Sequence, residues 1–286
     1  MTAAGAPAST TRVYALLGDP VRHSLSPRIQ NAAIAAGRID AVYVALRCAQ
    51  EDVPGLLRGL ARAGGGGNVT VPHKSLAAHV IDAPTEAVRR TGACNTFWLA
   101  DGAIQGDNTD VAAFTHAAAA LIGPLEGRVA VVLGAGGAAS AAVCALLDGG
   151  ASSVEVRNRT HARARALLDR YQDPRLRLGP PNAPLPEPLD LVVNATPLGL
   201  QASDPLPAPV AELAGAGVGA LLDLVYAPGG TAWVRTAREQ GIPAHDGTGM
   251  LLAQATLAFE RWFGLRPDPR AMRDACAPSP VRLEDE

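Results

Sequence analysis

Lysine is all but missing from this chain. Of its 25 Lys and Arg residues one is lysine, Lys74, and every other is arginine. Arginine does not release a proton in proteins and lysine does, so Lys74 is either a chance survivor of an Arg-biased composition or a site of proton chemistry. Charge is scarce as well: Asp, Glu, Lys and Arg make up 18% and the net charge is −2. No basic tract exists to neutralise phosphates, which argues against nucleic acid as a partner. The four cysteines, Cys48, Cys94, Cys144 and Cys276, form no C-x-x-C pair, and no histidine spacing suits zinc. A metal site is therefore not expected, and reduced thiols of a cytoplasmic protein are. Residues Met1 to Thr11 lack the apolar segment of a secretory signal and read as a frayed tail. The N-x-T sites at Asn68, Asn158 and Asn194 are accordingly not expected to carry glycans. The uncharged run Val129 to Leu147 imitates a membrane span. Gly134, Gly136 and Gly137 in its middle make it a strand, a turn and a helix instead.

What is present is a chain of 286 residues, 48% of them apolar, with room for two domains. Strand and helix patterns alternate. Short apolar strands are predicted at Val13 to Leu17, Ala41 to Leu46 and Asn68 to Val71. Helices are predicted at Pro27 to Ala36, with Ser26 as N-cap, and at Val53 to Ala63, ended by the run Gly64 to Gly67. Helices near Lys74 to Val80 and Thr85 to Arg90 precede a hairpin turning at Asp101-Gly102. A helix from Asp110 to Leu121 runs into the break Gly123 to Gly127. Beyond it the period is β-α-β, with strands at Val129 to Leu133, Val154 to Val156, Leu189 to Val193, Ala220 to Val225 and Ile242 to Ala244. A proline-rich loop spans Gly179 to Pro188, and helices near Met250 to Phe263 and Pro269 to Ala275 close the chain. The class is α/β in two domains. An N-terminal domain with a mostly parallel sheet spans 1–122, a Rossmann-type domain spans 123–249, and the helices of 250–286 pack back on the first.

Gly134-Ala135-Gly136-Gly137-Ala138-Ala139 follows a strand and opens a helix, matching G-x-G-x-x-A. Gly134 allows the tight turn, Gly136 lets backbone approach a pyrophosphate, and the helix N-terminus favours the anion. An NAD site wants an acid at the end of the next strand, to hold the ribose 2′-hydroxyl. None follows Val156; the chain reads Arg157-Asn158-Arg159-Thr160, with Arg163 a turn later. Arg159 and Arg163 are either ordinary surface arginines or a clamp for the 2′-phosphate of NADP, and Thr160 can cap the helix or donate to the phosphate.

In the first half, polar residues gather at strand ends, where parallel sheets bind ligands. The runs are Ser24-Leu25-Ser26-Pro27, Asn68 to Lys74, Gly92 to Thr96 and Gly106 to Asp110. With Gly18-Asp19-Pro20, the Gly134 loop, Asn158-Arg159-Thr160, Asn194 to Pro197, Asp223 to Tyr226 and Gly247 to Gln254, they occur in the order of one family. The chain resembles the shikimate dehydrogenases over about Tyr14 to Gly264.

The resemblance implies reversible NADPH-linked reduction of 3-dehydroshikimate to shikimate, a step toward the aromatic amino acids. It implies Lys74 and Asp110 as the catalytic pair, Lys74 supplying the proton as the carbonyl becomes an alcohol. Ser24 and Ser26 would hold the substrate carboxylate. Thr70, Asn95, Tyr226 and Gln254 would contact ring hydroxyls or the carboxylate. Gly134, Ala135, Gly136, Gly137 and Ala138, with Asn158, Arg159, Thr160 and Arg163, would hold NADP. Leu224 and Gly247 would line its nicotinamide side, and Glu86 would be a cofactor-side acid. The partners would be small molecules, without nucleic acid or membrane, and with a homodimer left open.

Each residue also has a plainer reading. Thr70 can pack in a strand, Asn108 and Asp110 can be cap residues, Gln254 can be a buried polar group, and Tyr226 can be a core aromatic. Val111 stands where the family commonly has glycine and stiffens the backbone beside Asp110. Cys94 stands in place of an aliphatic or small residue and reads as packing. The competing functions are a broader quinate/shikimate dehydrogenase, a methylenetetrahydrofolate dehydrogenase and a non-catalytic NADP sensor. Ser26 and the missing acid after Val156 favour strict shikimate and NADP use. The Ser24/Ser26 pair, and the lack of a stacking aromatic near Lys74, speak against a folate enzyme.

Overall fold

A computed structural model describes residues 7–180, 184–201 and 203–277. Residues 1–6 of the expected tail, 181–183 of the proline-rich loop and 278–286 of the C-terminal segment lie outside those described.

The first sheet contains β1 (Arg12–Gly18), β2 (Ala41–Arg47), β3 (Gly66–Val69), β4 (Ala83–Pro84), β5 (Thr96–Ala100) and β6 (Ala103–Asp107), in the order β2-β1-β3-β5-β6-β4. The pairs β1–β2, β1–β3 and β4–β6 are parallel, whereas β3–β5 and the β5–β6 hairpin are antiparallel. Asp101 and Gly102 both have positive φ, as a two-residue hairpin turn with this twist requires. The Gly66-Gly67 pair does not terminate a helix, as the glycine run suggested; it lies inside β3. A side chain on Gly67 would start 2.1 Å from the Ala15 carbonyl, so only glycine lets β3 pass between its neighbours.

The second sheet is wholly parallel: β7 (Val129–Leu133), β8 (Ser153–Arg157), β9 (Leu176–Leu178), β10 (Leu191–Asn194), β11 (Ala220–Asp223) and β12 (Ala244–His245), in the order β12-β11-β10-β7-β8-β9. This is the doubly wound arrangement, and its strand order reverses between β7 and β10. The membrane-like run is thus β7, a turn and α6 (Gly137–Asp148). No helix among the described residues is long and apolar enough to cross a bilayer.

Two long helices bridge the sheets. α5 (Thr109–Ile122) leaves β6 and buries Ala113, Phe114 and Ala118 in the core of the second sheet. α10 (Thr248–Phe263) returns along α5 and packs Phe259 and Trp262 against Tyr14 and Tyr43 of the first sheet. The Trp262 indole donates to the Phe97 carbonyl at 3.2 Å. α11 (Pro269–Cys276) lies on α1 (Ser26–Ala36). Ser26 is not the N-cap of α1 but its first residue; the Ser24 hydroxyl accepts from the Ser26 N–H at 3.2 Å and takes over the local turn. The sequence pattern misses β4, β9 and α8 (Val210–Gly215), segments too short to show a period.

All four cysteines are free. Burial pushes the Cys94 thiol up to about 12 and the Cys144 thiol up to about 11. Because the thiolate is the reactive form, a disulfide reagent at pH 8 should titrate half-buried Cys276 in the native protein and reach Cys94 and Cys144 only after unfolding. Fast native reaction of all four would contradict this packing.

Candidate active site

β1 and β3 run side by side and end together at Gly18 and Val69, with Thr70 next in the chain. Gly18 is needed there, since a Cβ would lie 2.3 Å from the Thr70 methyl. The Thr70 N–H donates to the Leu17 carbonyl at 2.8 Å, and His73, buried, bonds through Nε2 to the Cys48 carbonyl at 3.0 Å. That anchored turn delivers Lys74 as the first residue of α3 (Lys74–Val80). The sequence pattern does not single out His73 as the anchor; its one signal is its place beside the lone lysine.

Asp110 meets Lys74 from another direction. It lies in the first turn of α5, the helix expected to start there, three residues beyond the end of β6. Lys74 Nζ is 2.6 Å from Asp110 Oδ2, with side chains 15% and 8% exposed. Among the described residues the cap Asn108 accepts the Asp110 N–H at 3.2 Å through its side chain. Asn95, buried, accepts the Thr109 N–H at 2.9 Å and donates to the Thr109 hydroxyl at 3.0 Å. Lys74 thus holds Asp110, and Asn95 holds the preceding Thr109, at the start of α5. Val111 packs against the core of the second sheet without displacing Asp110 from its partner.

The remaining first-half residues occupy distinct places. Ser26 is buried and Ser24 half-buried after β1. The Tyr226 phenol, from beyond β11, is half-buried near Ser24 and Leu25, and burial pushes it up. Thr70 is half-buried at the end of β3, and the Gln254 amide donates to the Leu251 carbonyl of its own helix at 3.1 Å.

The glycine loop sits at the switch point of the second sheet. Register sets Leu133 beside Arg157 on one side and Asn194 on the other. Gly134 has φ +115°, and a Cβ there would lie 2.7 Å from the Ala195 carbonyl oxygen. Gly136 is different: a Cβ would meet nothing within 4 Å. That open cradle at the N-terminus of α6 fits a pyrophosphate. Beyond it, Asn158 donates to the Thr160 carbonyl at 2.8 Å, and Thr160 takes the N-cap position of α7 (His161–Tyr171) without a side-chain cap bond. Arg159 and Arg163 are exposed and make no ion pair among the described residues, whereas Arg157 is buried beside Glu155 at 2.7 Å. The donor set fits NADP, with two free guanidiniums where an NAD site would carry an acid.

Leu224 and Gly247 are brought together: a Cβ on Gly247 would lie 2.3 Å from the Leu224 carbonyl oxygen. Glu86 is exposed and ion-paired with Arg89 at 2.9 Å. It lines a groove of about 620 Å³ with Asp169 and Arg170 of α7, so its cofactor role rests on the resemblance alone. Asp223 belongs to a family-like run, but its sequence neighbours assign it no task. Its buried carboxylate accepts from Asn194 (2.8 Å), the Thr231 hydroxyl (2.7 Å) and the Val225 N–H (3.0 Å), joining the ends of β10 and β11. Burial pushes that carboxyl up against these donors. Of the three N-x-T asparagines, Asn68 and Asn194 are buried and Asn158 is half-buried.

The two halves touch at the chemistry. A Cβ on Gly137 would lie 3.4 Å from Lys74 Cδ, so the dinucleotide loop passes close to the stem of the lone lysine. A buried lysine–carboxylate pair beside such a loop fits the class of nicotinamide-linked α/β dehydrogenases.

Known relatives narrow that class. The family pattern for the shikimate dehydrogenase substrate binding domain matches residues 16–97, that for shikimate / quinate 5-dehydrogenase 116–196, and that for the shikimate 5′-dehydrogenase C-terminal domain 247–276. The chain is 43% identical over 272 residues to the shikimate dehydrogenase (NADP(+)) of Rubrobacter xylanophilus, covering 93% of this chain and 95% of that one. It is 37% identical to the Thermus thermophilus shikimate 5-dehydrogenase solved with NADP(H) and shikimate, with a TM-score of 0.79 and coverage of 93% and 98%. Quinate dehydrogenase from Corynebacterium glutamicum, solved with NAD, shares 28% identity at a TM-score of 0.83, again covering 93% and 98%. The chain belongs to the shikimate dehydrogenase family.

Proposed function

We propose that this chain catalyses the reversible NADPH-linked reduction of 3-dehydroshikimate to shikimate. The observation that carries it is the Lys74–Asp110 pair, 2.6 Å apart, lying against Gly137 of the dinucleotide loop. NADPH supplies the hydride when bound. Lys74 gives its proton to the substrate oxygen as the alcohol forms and takes it back in the reverse direction. Asp110 holds the ammonium in place. Ser24, Ser26 and Tyr226 bind the carboxylate; Thr70, Asn95 and Gln254 orient the ring. Gly134 to Ala138 take the pyrophosphate, Asn158 to Arg163 the 2′-phosphate, and Leu224 and Gly247 the nicotinamide side.

The chain divides, on this reading, into a substrate part, 1–122 with the C-terminal helices of 250–286, and a nucleotide part, 123–249. It works in the cytoplasm on small molecules, without nucleic acid, and a homodimer is compatible with it.

The free arginines favour NADP over the NAD seen with the quinate enzyme. The test is steady-state kinetics on shikimate and quinate with each cofactor. Shikimate with NADP should give the highest kcat/KM, and an equal value with quinate or NAD would overturn the strict reading. Arg159→Ala should raise the KM for NADP roughly 10- to 100-fold, the scale of one lost bond to a charged group, and leave that for NAD unchanged. A parallel loss with both cofactors would remove Arg159 from the 2′-phosphate.

A further inference from the structure

A largely buried hydrogen-bond path runs from α7 to the backbone N–H of Asp110. It begins at α7, where the Tyr171 hydroxyl donates to the Ser140 carbonyl at 2.7 Å. Ser140 lies on α6, the helix opened by the glycine loop, and its hydroxyl lies 3.0 Å from the Thr91 carbonyl at the end of α4 (Glu86–Thr91). The Thr91 hydroxyl has one proton, which it gives to the Ala87 carbonyl at 2.6 Å. Its oxygen is therefore free to accept the Asn108 amide at 2.9 Å. That same Asn108 side chain turns its oxygen to the Asp110 N–H. Thr91, Asn108 and Ser140 are all less than 5% exposed.

An asparagine amide has two fixed ends. With Oδ1 committed to the Asp110 N–H, Nδ2 must find acceptors elsewhere, and Thr91 Oγ1 and the Ala93 carbonyl at 3.0 Å are those it finds. Removing Thr91 Oγ1 leaves a buried N–H without its partner and frees the cap to tilt. The Asp110 carboxylate, one residue into α5, would tilt with it. The Ser140 bond ties this same threonine to the helix carrying the glycine loop, so one residue sets both sides of the reacting gap.

We propose that Thr91 and Ser140 are positioning residues: Ser140 docks the glycine-loop helix on Thr91, and Thr91 orients the Asn108 cap that aims Asp110 at Lys74. This rests on the dehydrogenase reading above, and the test separates the two. Because Lys74 is the only lysine, protein grown on 13C-lysine shows one Cε resonance, which reports the Lys74–Asp110 pair without turnover. Thr91→Val should move that resonance and lower kcat about 5- to 10-fold, with KM for shikimate within about twofold. Thr91→Ser, which restores the hydroxyl, should return both. Ser140→Ala should lower kcat and raise the KM for NADP. A folded Thr91→Val protein with unchanged resonance, or failure of Thr91→Ser to restore it, overturns the inference, even if melting temperature falls. A wild-type protein that does not oxidise shikimate overturns the functional reading instead, and the resonance still decides this one.

Discussion

Lys74→Arg is expected to lower kcat by about a thousand-fold, within the range that a positioned general acid contributes, while shikimate still binds. The substitution keeps the positive charge beside Asp110 and removes the releasable proton. This chain is a clean host for the experiment, since it already uses arginine at every other basic position. The lysine side chain is held by Asp110 at 2.6 Å and is 15% exposed, so the larger guanidinium must also find room. Lys74→Gln, which has no such bulk and no charge, controls for crowding and should lose kcat to a similar degree. Shikimate binding is measured separately, by calorimetry on the NADP complex. A kcat near wild type in the arginine variant would remove Lys74 from proton transfer.

The second large effect separates two glycines two residues apart. Gly134→Ala forces an alanine to φ +115° and drives its Cβ to 2.7 Å from backbone of the neighbouring loop. The nearest atoms belong to the Ala195 carbonyl and not to a flexible side-chain end, so the turn between β7 and α6 must move. The expected cost is about 2–4 kcal/mol of stability, strain and displacement together, and a melting temperature lower by roughly 4–15 °C. Cofactor affinity falls with it. Gly136→Ala has an ordinary φ of −95° and open space for its methyl group. It should fold with near-native stability and still raise the KM for NADP tenfold or more, because the methyl stands where the pyrophosphate approaches. Thermal melts and cofactor titration on both variants check the contrast. Equal melting loss in both, or unimpaired NADP binding by Gly136→Ala, would refute the assigned roles.

Local patterns make much of this molecule legible in its sequence. The strand, glycine turn and helix over Val129 to Leu147, the Asp101-Gly102 hairpin, and the missing acid after Val156 are each encoded within a few residues. Lys74 stands out by composition alone. Other features have no local trace. Gly66 and Gly67 look like a helix terminator because the reason for them, the Ala15 and Phe97 carbonyls, lies on other strands. Asp223 is explained only by Asn194 and Thr231, and Thr91 only by Asn108 and Ser140.

The sequence by itself therefore determined the α/β class, the dinucleotide loop without an acid after its second strand, and the single lysine among the arginines. These depend on backbone freedom, hydrophobic period and side-chain chemistry, which belong to single residues and their immediate neighbours. The tertiary structure alone decided that the Asp110 carboxylate lies 2.6 Å from Lys74 Nζ, that Gly137 comes close to the lysine stem, and that Tyr226 comes near Ser24. Such distances are set when two separately wound sheets pack through α5 and α10, and no short stretch of chain contains that information.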